Sequence, residues 1–281
     1  MNNHNRLLAL FAHPDDEAFT CGGVLARYAA AGARVALVCA TRGEVGEISD
    51  PALATPETLG QVREAELRCA CQQLGITDLT FLGYRDSGMA DTPANHDPRA
   101  YANMPAETVV PQLVHLIRRL RPHGVITFDP NGGYGHPDHI AIHRHTVEAF
   151  HAAADPGRYP EHGRPWQAER LFYVVLARSF FLKMREYLAA LGVDTSRFDA
   201  RLEQGLGWPD DQVHITCDVS ELVEVKWRAF QCHRTQINPE SPFQRIPEAE
   251  FKHLIHQERF VLAWPEPPPG LQLTDLFADL G

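Results

Sequence analysis

Residues 12–23 read AHPDDEAFTCGG and place a histidine, two adjacent aspartates and a glutamate directly after the apolar run LLALF. Borderline metals such as zinc bind imidazole nitrogen together with carboxylate oxygen, and a catalytic zinc site usually has three protein ligands. His13 and Asp16 supply two such ligands. Because successive side chains point in different directions, Asp15 is left free to take a proton. The structural alternative is that these acids only cap the next helix, as aspartate commonly does.

A second cluster, FDPNGGYGHPDHIAIHRH, spans residues 128–145 and follows the apolar run GVITF. His139 is the natural third ligand and completes a His-Asp-His set. His136 would face the same space without necessarily binding the metal, and His143, one helical turn beyond His139, is an alternative ligand. The glycines of this segment permit sharp backbone turns. No Lys-Ser/Thr pair follows them, so they do not form a phosphate-binding loop.

Short apolar runs alternate with helical patterns, and this alternation predicts a parallel sheet with helices on both faces. The runs are typical of buried parallel strands. The predicted strands cover residues 6–12, 34–40, 79–82, 124–128 and 170–177, and the predicted helices cover 22–31, 57–74, 105–120 and 137–154. We therefore expect an α/β, Rossmann-like catalytic core with a mostly parallel sheet over residues 1–178.

The remaining residues, 179–281, have a less regular pattern and predict a smaller α+β portion packed on the core as one compact unit. Further helices are expected at 179–191, 218–232 and 247–258, with extended segments at 213–217 and 259–264. The polar segment 83–104 is too long for an ordinary connection. Such loops in compact domains tend to be lids or binding loops.

Both motif clusters follow a predicted strand, and ligands of open parallel sheets bind at the carboxyl ends of the strands. The two clusters should therefore meet in one crevice. A Rossmann nucleotide site would need G-x-G-x-x-G at the first turn, where this chain has HPDDE. Adjacent carboxylates would repel a pyrophosphate, which argues against a dinucleotide.

The overall charge favours a small-molecule partner. The formal net charge of −10 argues against nucleic acid and against an anionic membrane surface. No apolar run approaches the roughly 20 residues of a membrane span, and no cleavage site follows the first apolar run, so we expect a cytoplasmic protein. The six cysteines include no C-x-x-C pair and are expected to be reduced thiols. The sequence leaves a homo-oligomer open.

The combination of AHPDDE with GGYGHPDHI resembles the PIG-L/LmbE-like zinc-dependent deacetylases, which remove acetyl groups from N-acetylglucosamine conjugates. The likeness extends nearly end to end through GEVGEI, VREAEL, RDSGM, CHRTQINP and TDLFADLG. These segments resemble the branch that serves low-molecular-weight thiols, with the mycothiol-pathway deacetylase, the mycothiol S-conjugate amidase and the bacillithiol deacetylases. The resemblance implies a metal-dependent amidohydrolase that acts on a linear amide of a small sugar conjugate.

The resemblance also implies roles for individual residues. The implied zinc ligands are His13, Asp16 and His139, although iron(II) can occupy similar sites. The implied catalytic residues are Asp15 as the general base, His136 for the developing oxyanion, Tyr134 as its assistant on a loop, and Asp138 as the residue that orients His136. The residues implied to hold the sugar hydroxyls and the attached group are Glu44, Arg63 and Asp86.

Structural alternatives exist for two of the substrate residues. Arg63 could merely pair with Glu64 or Glu66 on its own helix, and Asp86 could merely support the turn before Gly88. The amidase branch tends to carry a lysine shortly after HPDDE, whereas AFTCGG has none, and RDSGM also favours a deacetylase. NGGY and TQINP favour the amidase. Both activities stay open at this point, as does a non-catalytic metal- or carbohydrate-binding protein on the same fold.

Overall fold

Seven strands form one sheet in the computed structural model, which describes residues 5–279. The strands are β1 (Arg6–Phe11), β2 (Arg34–Thr41), β3 (Asp78–Tyr84), β4 (Gly124–Phe128), β5 (Arg170–Val175), β6 (Ile215–Asp218) and β7 (Gln257–Trp264). Their order is β3-β2-β1-β4-β5-β7-β6. Strands β1 to β5 are parallel, whereas β7 pairs antiparallel with β5 and β6 antiparallel with β7. The predicted α/β fold with a mostly parallel sheet is confirmed.

The α-helices of residues 5–279 include two groups that pack on the sheet. The helices are α1 (Asp16–Ala30), α2 (Leu59–Leu74), α3 (Ala106–Leu120), α4 (Gly132–Gly135), α5 (Pro137–Ala154), α6 (Arg178–Ala190), α7 (Ser196–Glu203), α8 (Val223–Cys232) and α9 (Glu248–Ile255). Helices α1, α2 and α8 pack together, and α3 packs on α5. Right-handed crossovers place the two groups on opposite faces of the sheet. None of these described helices is long and apolar enough to cross a membrane.

Strands β1 and β4 lie side by side in the middle of the sheet, where the order of the strands reverses. Their sequences, RLLALF and GVITF, are apolar almost throughout and buried on both faces, as expected for central parallel strands. A crevice opens at the carboxyl ends of two such strands. HPDDE follows β1 and the second histidine cluster follows β4, so the fold brings both clusters to this crevice.

Helix α1 begins earlier than predicted. It starts at Asp16 instead of residue 22 and is interrupted at Cys21, whose φ and ψ are not helical. The interruption frees the backbone N–H groups of Gly23 and Val24, and both donate at 2.7 Å to the carboxylate of Glu258. The Gly-Gly pair thus marks a break inside the helix. The acceptor lies 235 residues away in the sequence, which is why the local pattern did not show it.

The C-terminal residues extend the same sheet through β6 and β7. Helices α6, α7 and α9 build a second apolar cluster around Phe180, Phe181, Met184 and Phe251. Helix α7 was not predicted. The boundary at 178/179 stays a prediction, but the sheet continues across it.

The prediction that all six cysteines are free thiols is wrong for two of them. Cys69 in α2 and Cys232 at the end of α8 form a disulfide, because the two helices pack against each other and bring these residues to a Cα–Cα distance of 5.8 Å. Their sequence separation of 163 left no local signal for the pairing. The other four cysteines are free and buried.

Candidate active site

The loop between β1 and α1 holds Asp15 in a strained backbone conformation. Its φ of 121° and ψ of −27° lie in a region that residues other than glycine rarely adopt. The backbone N–H of Asp15 donates to Oε2 of Glu17 at 3.1 Å. Such strain costs about 1–3 kcal/mol and persists where surrounding contacts fix it, which is typical of functional sites. The loop therefore directs the Asp15 side chain at an energetic cost.

Three candidate ligand atoms converge beside this loop. Nδ1 of His13 lies 3.2 Å from Nε2 of His139, and Oδ1 of Asp16 lies 3.3 Å from the same Nε2. Ligand atoms 2.0–2.1 Å from a tetrahedral zinc ion would be separated by roughly 3.3–3.4 Å. The predicted His-Asp-His set is thus brought together at metal-ligand spacing. His13 and His139 also form a second group of three with His136, in which the ligand atoms all lie within 4.8 Å of one another.

The hydrogen bonds of His13 and His139 leave one nitrogen of each ring, Nδ1 of His13 and Nε2 of His139, available to bind a cation. His139 uses its Nδ1–H to donate to the carbonyl of Gly132 at 3.1 Å. Nε2 of His13 lies 3.1 Å from Oδ2 of Asp138, so its proton belongs on that nitrogen. The two inner nitrogens face each other at 3.2 Å, and with both rings neutral in these tautomers each nitrogen offers a lone pair to a cation between them. Partners of this kind orient metal-binding histidines in proteins generally.

Backbone geometry fixes the ligands further. Oδ2 of Asp16 accepts from the N–H groups of Ala12 and His13 at 3.1 and 2.8 Å, which leaves Oδ1 available. Gly132 has a φ of +62°, and a Cβ at this position would lie 2.7 Å from Cβ of His139. The glycine is therefore needed for the close approach of the loop to the ligand. Together these contacts show that the described residues fit a metal ion.

Asp15 has the environment of a general base. Burial raises the pKa of Asp15 to about 6, while the Arg63 guanidinium opposes this shift. A cation at the ligand set would act in the same direction as Arg63. A catalytic base works best with a pKa near the working pH. The adjacent Asp16 has its pKa held well below the usual range, against burial, by His139 and His13, so the two neighbouring aspartates differ in character.

His136 is a neutral hydrogen-bond donor in this environment. Burial lowers the pKa of His136 to about 3, and the neighbouring His13 and His139 add to the effect. Its Nδ1 accepts from the backbone N–H of Asp138 at 3.1 Å. The proton of the neutral ring therefore lies on Nε2, which can donate to an oxygen that develops negative charge.

The carboxylate of Asp138 contacts His13 and Ser87. Its Oδ2 accepts from the backbone N–H of Ser87 at 2.9 Å, and the Ser87 hydroxyl donates to Oδ1. The prediction that Asp138 orients His136 is therefore wrong for the side chain, because the carboxylate is directed to the candidate ligand His13. The backbone N–H of Asp138 is what contacts His136.

Tyr134 and His143 lie on different sides of the ligand set. Tyr134 is 43% exposed, and its ring centroid lies 5.1 Å from that of His139 and 6.3 Å from that of His136. The nitrogen Nδ1 of His143 donates to the carbonyl of Phe128 at 2.8 Å. The structure thus brings Tyr134 to the site, whereas it directs His143 to the backbone of β4.

Arg63 contacts the candidate base instead of its own helix. Nη2 lies 3.1 Å from Oδ2 of Asp15, and Nη1 donates to the carbonyl of Gly43 at 3.0 Å. The alternative partners Glu64 and Glu66 bind other residues. Arg63 is therefore part of the site.

Asp86 reaches the ligand set, but Glu44 does not. Oδ1 of Asp86 lies 3.4 Å from Nε2 of His13 and also accepts from the N–H of Gly88 at 2.8 Å. The carboxylate of Glu44 accepts from the backbone N–H of Asp86 at 3.2 Å and does not line the chamber described below, whereas Glu47 does. Glu44 therefore holds the backbone of Asp86 in place and does not face the ligand set.

Sequence reasoning missed a buried pair that supports Asp15. Oε1 of Glu17 lies 2.8 Å from Nε2 of His233, and both side chains are almost fully buried. Nδ1 of His233 has no hydrogen-bond partner among residues 5–279. The available signal was CHRTQINP, whose histidine is His233. Since Glu17 also accepts from the Asp15 N–H, the pair links α8 to the loop that carries the candidate base.

Two chambers meet at the ligand set. The polar chamber has a volume of about 250 Å³ and is lined by His13, Asp15, Asp16, Glu47, Arg63, Asp86, Tyr134 and His136, among others. The apolar chamber has a volume of about 190 Å³, and its apolar lining consists of Phe19, Phe128, Val174, Val175, Leu176, Phe230 and Ile237. Asp15, Asp16 and Tyr134 line both chambers.

Comparisons with known proteins agree with this geometry. The family model "PIG-L: GlcNAc-PI de-N-acetylase" matches residues 8–150. The 1D-myo-inositol 2-acetamido-2-deoxy-alpha-D-glucopyranoside deacetylase of Thermobifida fusca is 40% identical, over 98% of this chain and all of the relative. The enzyme of the same name from Geodermatophilus obscurus is 39% identical, over 92% of this chain and 95% of the relative.

A solved structure shows the same fold. N,N'-diacetylchitobiose deacetylase from Pyrococcus horikoshii superposes with a TM-score of 0.65 at 19% identity, covering 92% of this chain and 83% of that chain. The family model matches the segment that contains the two motif clusters, and the resemblance stated from the sequence is confirmed. The chain belongs to the PIG-L family of GlcNAc-PI de-N-acetylases.

Proposed function

We propose that the protein hydrolyses the acetamide of an N-acetylglucosamine conjugate with the help of a zinc ion. The observation that carries this proposal is the convergence of three ligand atoms beside a half-buried carboxylate, Asp15, that is not one of them. The names of the relatives support the substrate class, since both are deacetylases of an inositol 2-acetamido-glucopyranoside. We infer the same conjugate as the substrate, with a role in low-molecular-weight thiol metabolism.

The metal would be held by His13, Asp16 and His139. One carboxylate and two imidazoles are a usual ligand set of catalytic zinc, with a further position open for water or substrate. Iron(II) is the alternative occupant of such a set. When bound, the cation would supply Lewis-acid polarisation of the acyl carbonyl and would make water a stronger nucleophile near neutral pH.

The protein residues then divide the proton transfers between them. Asp15 takes a proton from the attacking water and returns it to the leaving amine, and its partial burial favours the protonated form between these two transfers. The Nε2–H of His136 donates to the oxyanion of the tetrahedral intermediate, and Tyr134 assists from the rim of the chambers. Water adds its hydroxyl to the carbonyl carbon and its proton to the nitrogen, which releases acetate and a free amino sugar.

The polar chamber would hold the sugar. Arg63 and Asp86 are almost fully buried and offer a fixed set of donors and acceptors to hydroxyl groups. A site built to bond hydroxyls leaves its own polar groups unpaired when those hydroxyls are missing, and this penalty can reach about 10⁴-fold. The enzyme should therefore discriminate strongly against simple acetamides.

The test is amine release from N-acetylglucosaminyl-inositol, compared with N-acetyl amino acids and with N-acetylglucosaminyl-malate. We expect hydrolysis of the inositol conjugate that is abolished by chelation and restored by zinc, with kcat/KM for N-acetyl amino acids lower by several orders of magnitude. Equal activity on the amino acids would contradict the sugar assignment. One bound zinc per chain without any amine release would instead indicate a binding protein.

A further inference from the structure

The apolar chamber extends away from the ligand set into a larger apolar groove. The groove has a volume of about 600 Å³, and phenylalanines of α6, α7, α8 and α9 form its apolar wall. The rest of its lining includes polar residues, among them Glu47, Arg201 and Asn238. Phe19, Leu176 and Phe230 line both the apolar chamber and the groove. The two spaces therefore form one apolar path that begins at the candidate metal site.

The chemistry of the two chambers fixes which end of an amide enters each of them. The scissile carbonyl must lie next to Asp15, Asp16 and Tyr134, which together with Gln236 line both chambers. Sugar hydroxyls require the donors and acceptors of the polar chamber. The acyl group extends from the other side of the carbonyl carbon and is thereby directed to the apolar chamber.

The apolar chamber is much larger than an acetyl group requires. A cavity needs about 10–15 Å³ of accessible space for one water molecule, and the methyl of an acetyl group is of similar size. The apolar chamber offers about 190 Å³ before the groove begins. Ligand pockets in proteins are usually mostly apolar with few polar groups, and this chamber has that character.

We propose that the apolar chamber and the groove are an acyl-chain subsite, and that the enzyme also hydrolyses glucosamine amides with linear acyl chains of several carbons. The inference rests on the proposed function and extends it from acetyl to longer acyl groups. In each turnover the C–N bond breaks, the hydroxyl of water joins the acyl carbon and the proton joins the nitrogen. The products are a medium-chain carboxylate and the free amino sugar.

The first experiment is an acyl series on one sugar: N-acetyl-, N-butanoyl- and N-hexanoyl-glucosaminyl-inositol with the zinc-loaded enzyme. Each methylene buried in an apolar site strengthens binding by about fourfold, so KM should fall along the series. We expect kcat/KM for the hexanoyl compound to exceed the acetyl value. An equal or lower value would overturn the subsite while leaving the deacetylase intact.

A matched pair of variants locates the subsite. Leu176→Trp places an indole where the apolar chamber meets the groove, whereas Leu182→Trp makes the same change at a side chain of α6 that is 43% exposed and lines neither space. We expect Leu176→Trp to lower the ratio of hexanoyl to acetyl kcat/KM at least tenfold. Leu182→Trp should leave that ratio unchanged. An unchanged ratio in Leu176→Trp contradicts the subsite.

The outcomes separate the two proposals. Hydrolysis of neither the acetyl nor the hexanoyl compound would refute the proposed function and the subsite together. Hydrolysis of the hexanoyl compound alone would support the subsite and refute the acetyl assignment. If Leu176→Trp does not fold, as judged by thermal unfolding, Ile237→Trp on the opposite chain segment tests the same chamber against the same control.

Discussion

Two groups of buried charges lie along the broken helix α1, one at its break and one at its N-terminus, and they differ in how their polar atoms are satisfied. At the break, Nζ of Lys226 lies 2.7 Å from Oε1 of Glu258 and donates to the carbonyl of Ile255 at 3.2 Å. The two oxygens of Glu258 also accept from Gly23 and Val24. This group is closed, since its members satisfy one another.

At the N-terminus of α1 the arrangement is open. His13 and His139 present facing nitrogens, Asp16 keeps one oxygen available, and Asp15 sits on a strained backbone. The candidate ligand atoms point their lone pairs at one another, at 3.2 and 3.3 Å, and this arrangement costs free energy in a buried place. The difference shows that burial and charge alone do not mark an active site. What marks the active site is a set of convergent ligand atoms that other residues hold in place.

The largest effect is expected from removing a ligand of the open group. His139→Ala should lower bound zinc well below one ion per chain, because two remaining ligands make a poor site. Turnover should fall by roughly 10³-fold or more, since the cation supplies several kcal/mol of stabilisation to the transition state. Metal analysis measures the bound zinc, and an amine-release assay measures the turnover. Full zinc occupancy in this variant would move the third ligand to another residue.

The closed group should affect stability instead of chemistry. Glu258→Ala leaves the Lys226 ammonium buried without its partner, and breaking a buried pair in this way costs about 3–5 kcal/mol of unfolding free energy. The matched control is Glu224→Ala, which breaks the more exposed pair with Lys252 and should cost less than about 1 kcal/mol. Urea unfolding measures both. Loss of zinc from folded Glu258→Ala would contradict the separation of the two groups.

The sheet could be predicted from the sequence because its strands are continuous apolar runs. The break inside α1 could not be predicted, since it depends on Glu258 from β7. The candidate ligand set could be predicted from the residue types that follow two of the strands. The partners of those ligands did not, because the contacts of His13 with Asp138 and Asp86 join segments that are distant in the chain.

A smaller effect is expected at Glu17, which supports the base without touching the ligand atoms. Glu17→Ala removes the acceptor of the Asp15 N–H and the partner of His233. Loss of such supporting partners typically costs 10–100-fold, and we expect the loss in kcat with little change in KM and with zinc retained. Glu17→Gln keeps one acceptor oxygen and should recover part of the activity. A change confined to KM would contradict the positioning role.

The smallest effect is expected at His143, which lies on the same helix as His139 but binds the backbone of Phe128. His143→Gln should keep one zinc per chain and near-normal turnover, with a cost of about 1 kcal/mol for the altered hydrogen bond. Metal analysis and thermal unfolding are sufficient to check this. Loss of zinc here would show that the ligand set has been assigned to the wrong histidine.

The two adjacent aspartates are expected to have separate tasks, and zinc content and turnover measured in the same preparations of Asp15→Asn and Asp16→Asn test this separation. We predict that Asp15→Asn keeps about one zinc per chain while turnover of N-acetylglucosaminyl-inositol falls by roughly 10²–10⁴-fold, the usual scale for a lost general base. Asp16→Asn should lose zinc. The account is contradicted if Asp15→Asn loses its zinc or if Asp16→Asn retains it.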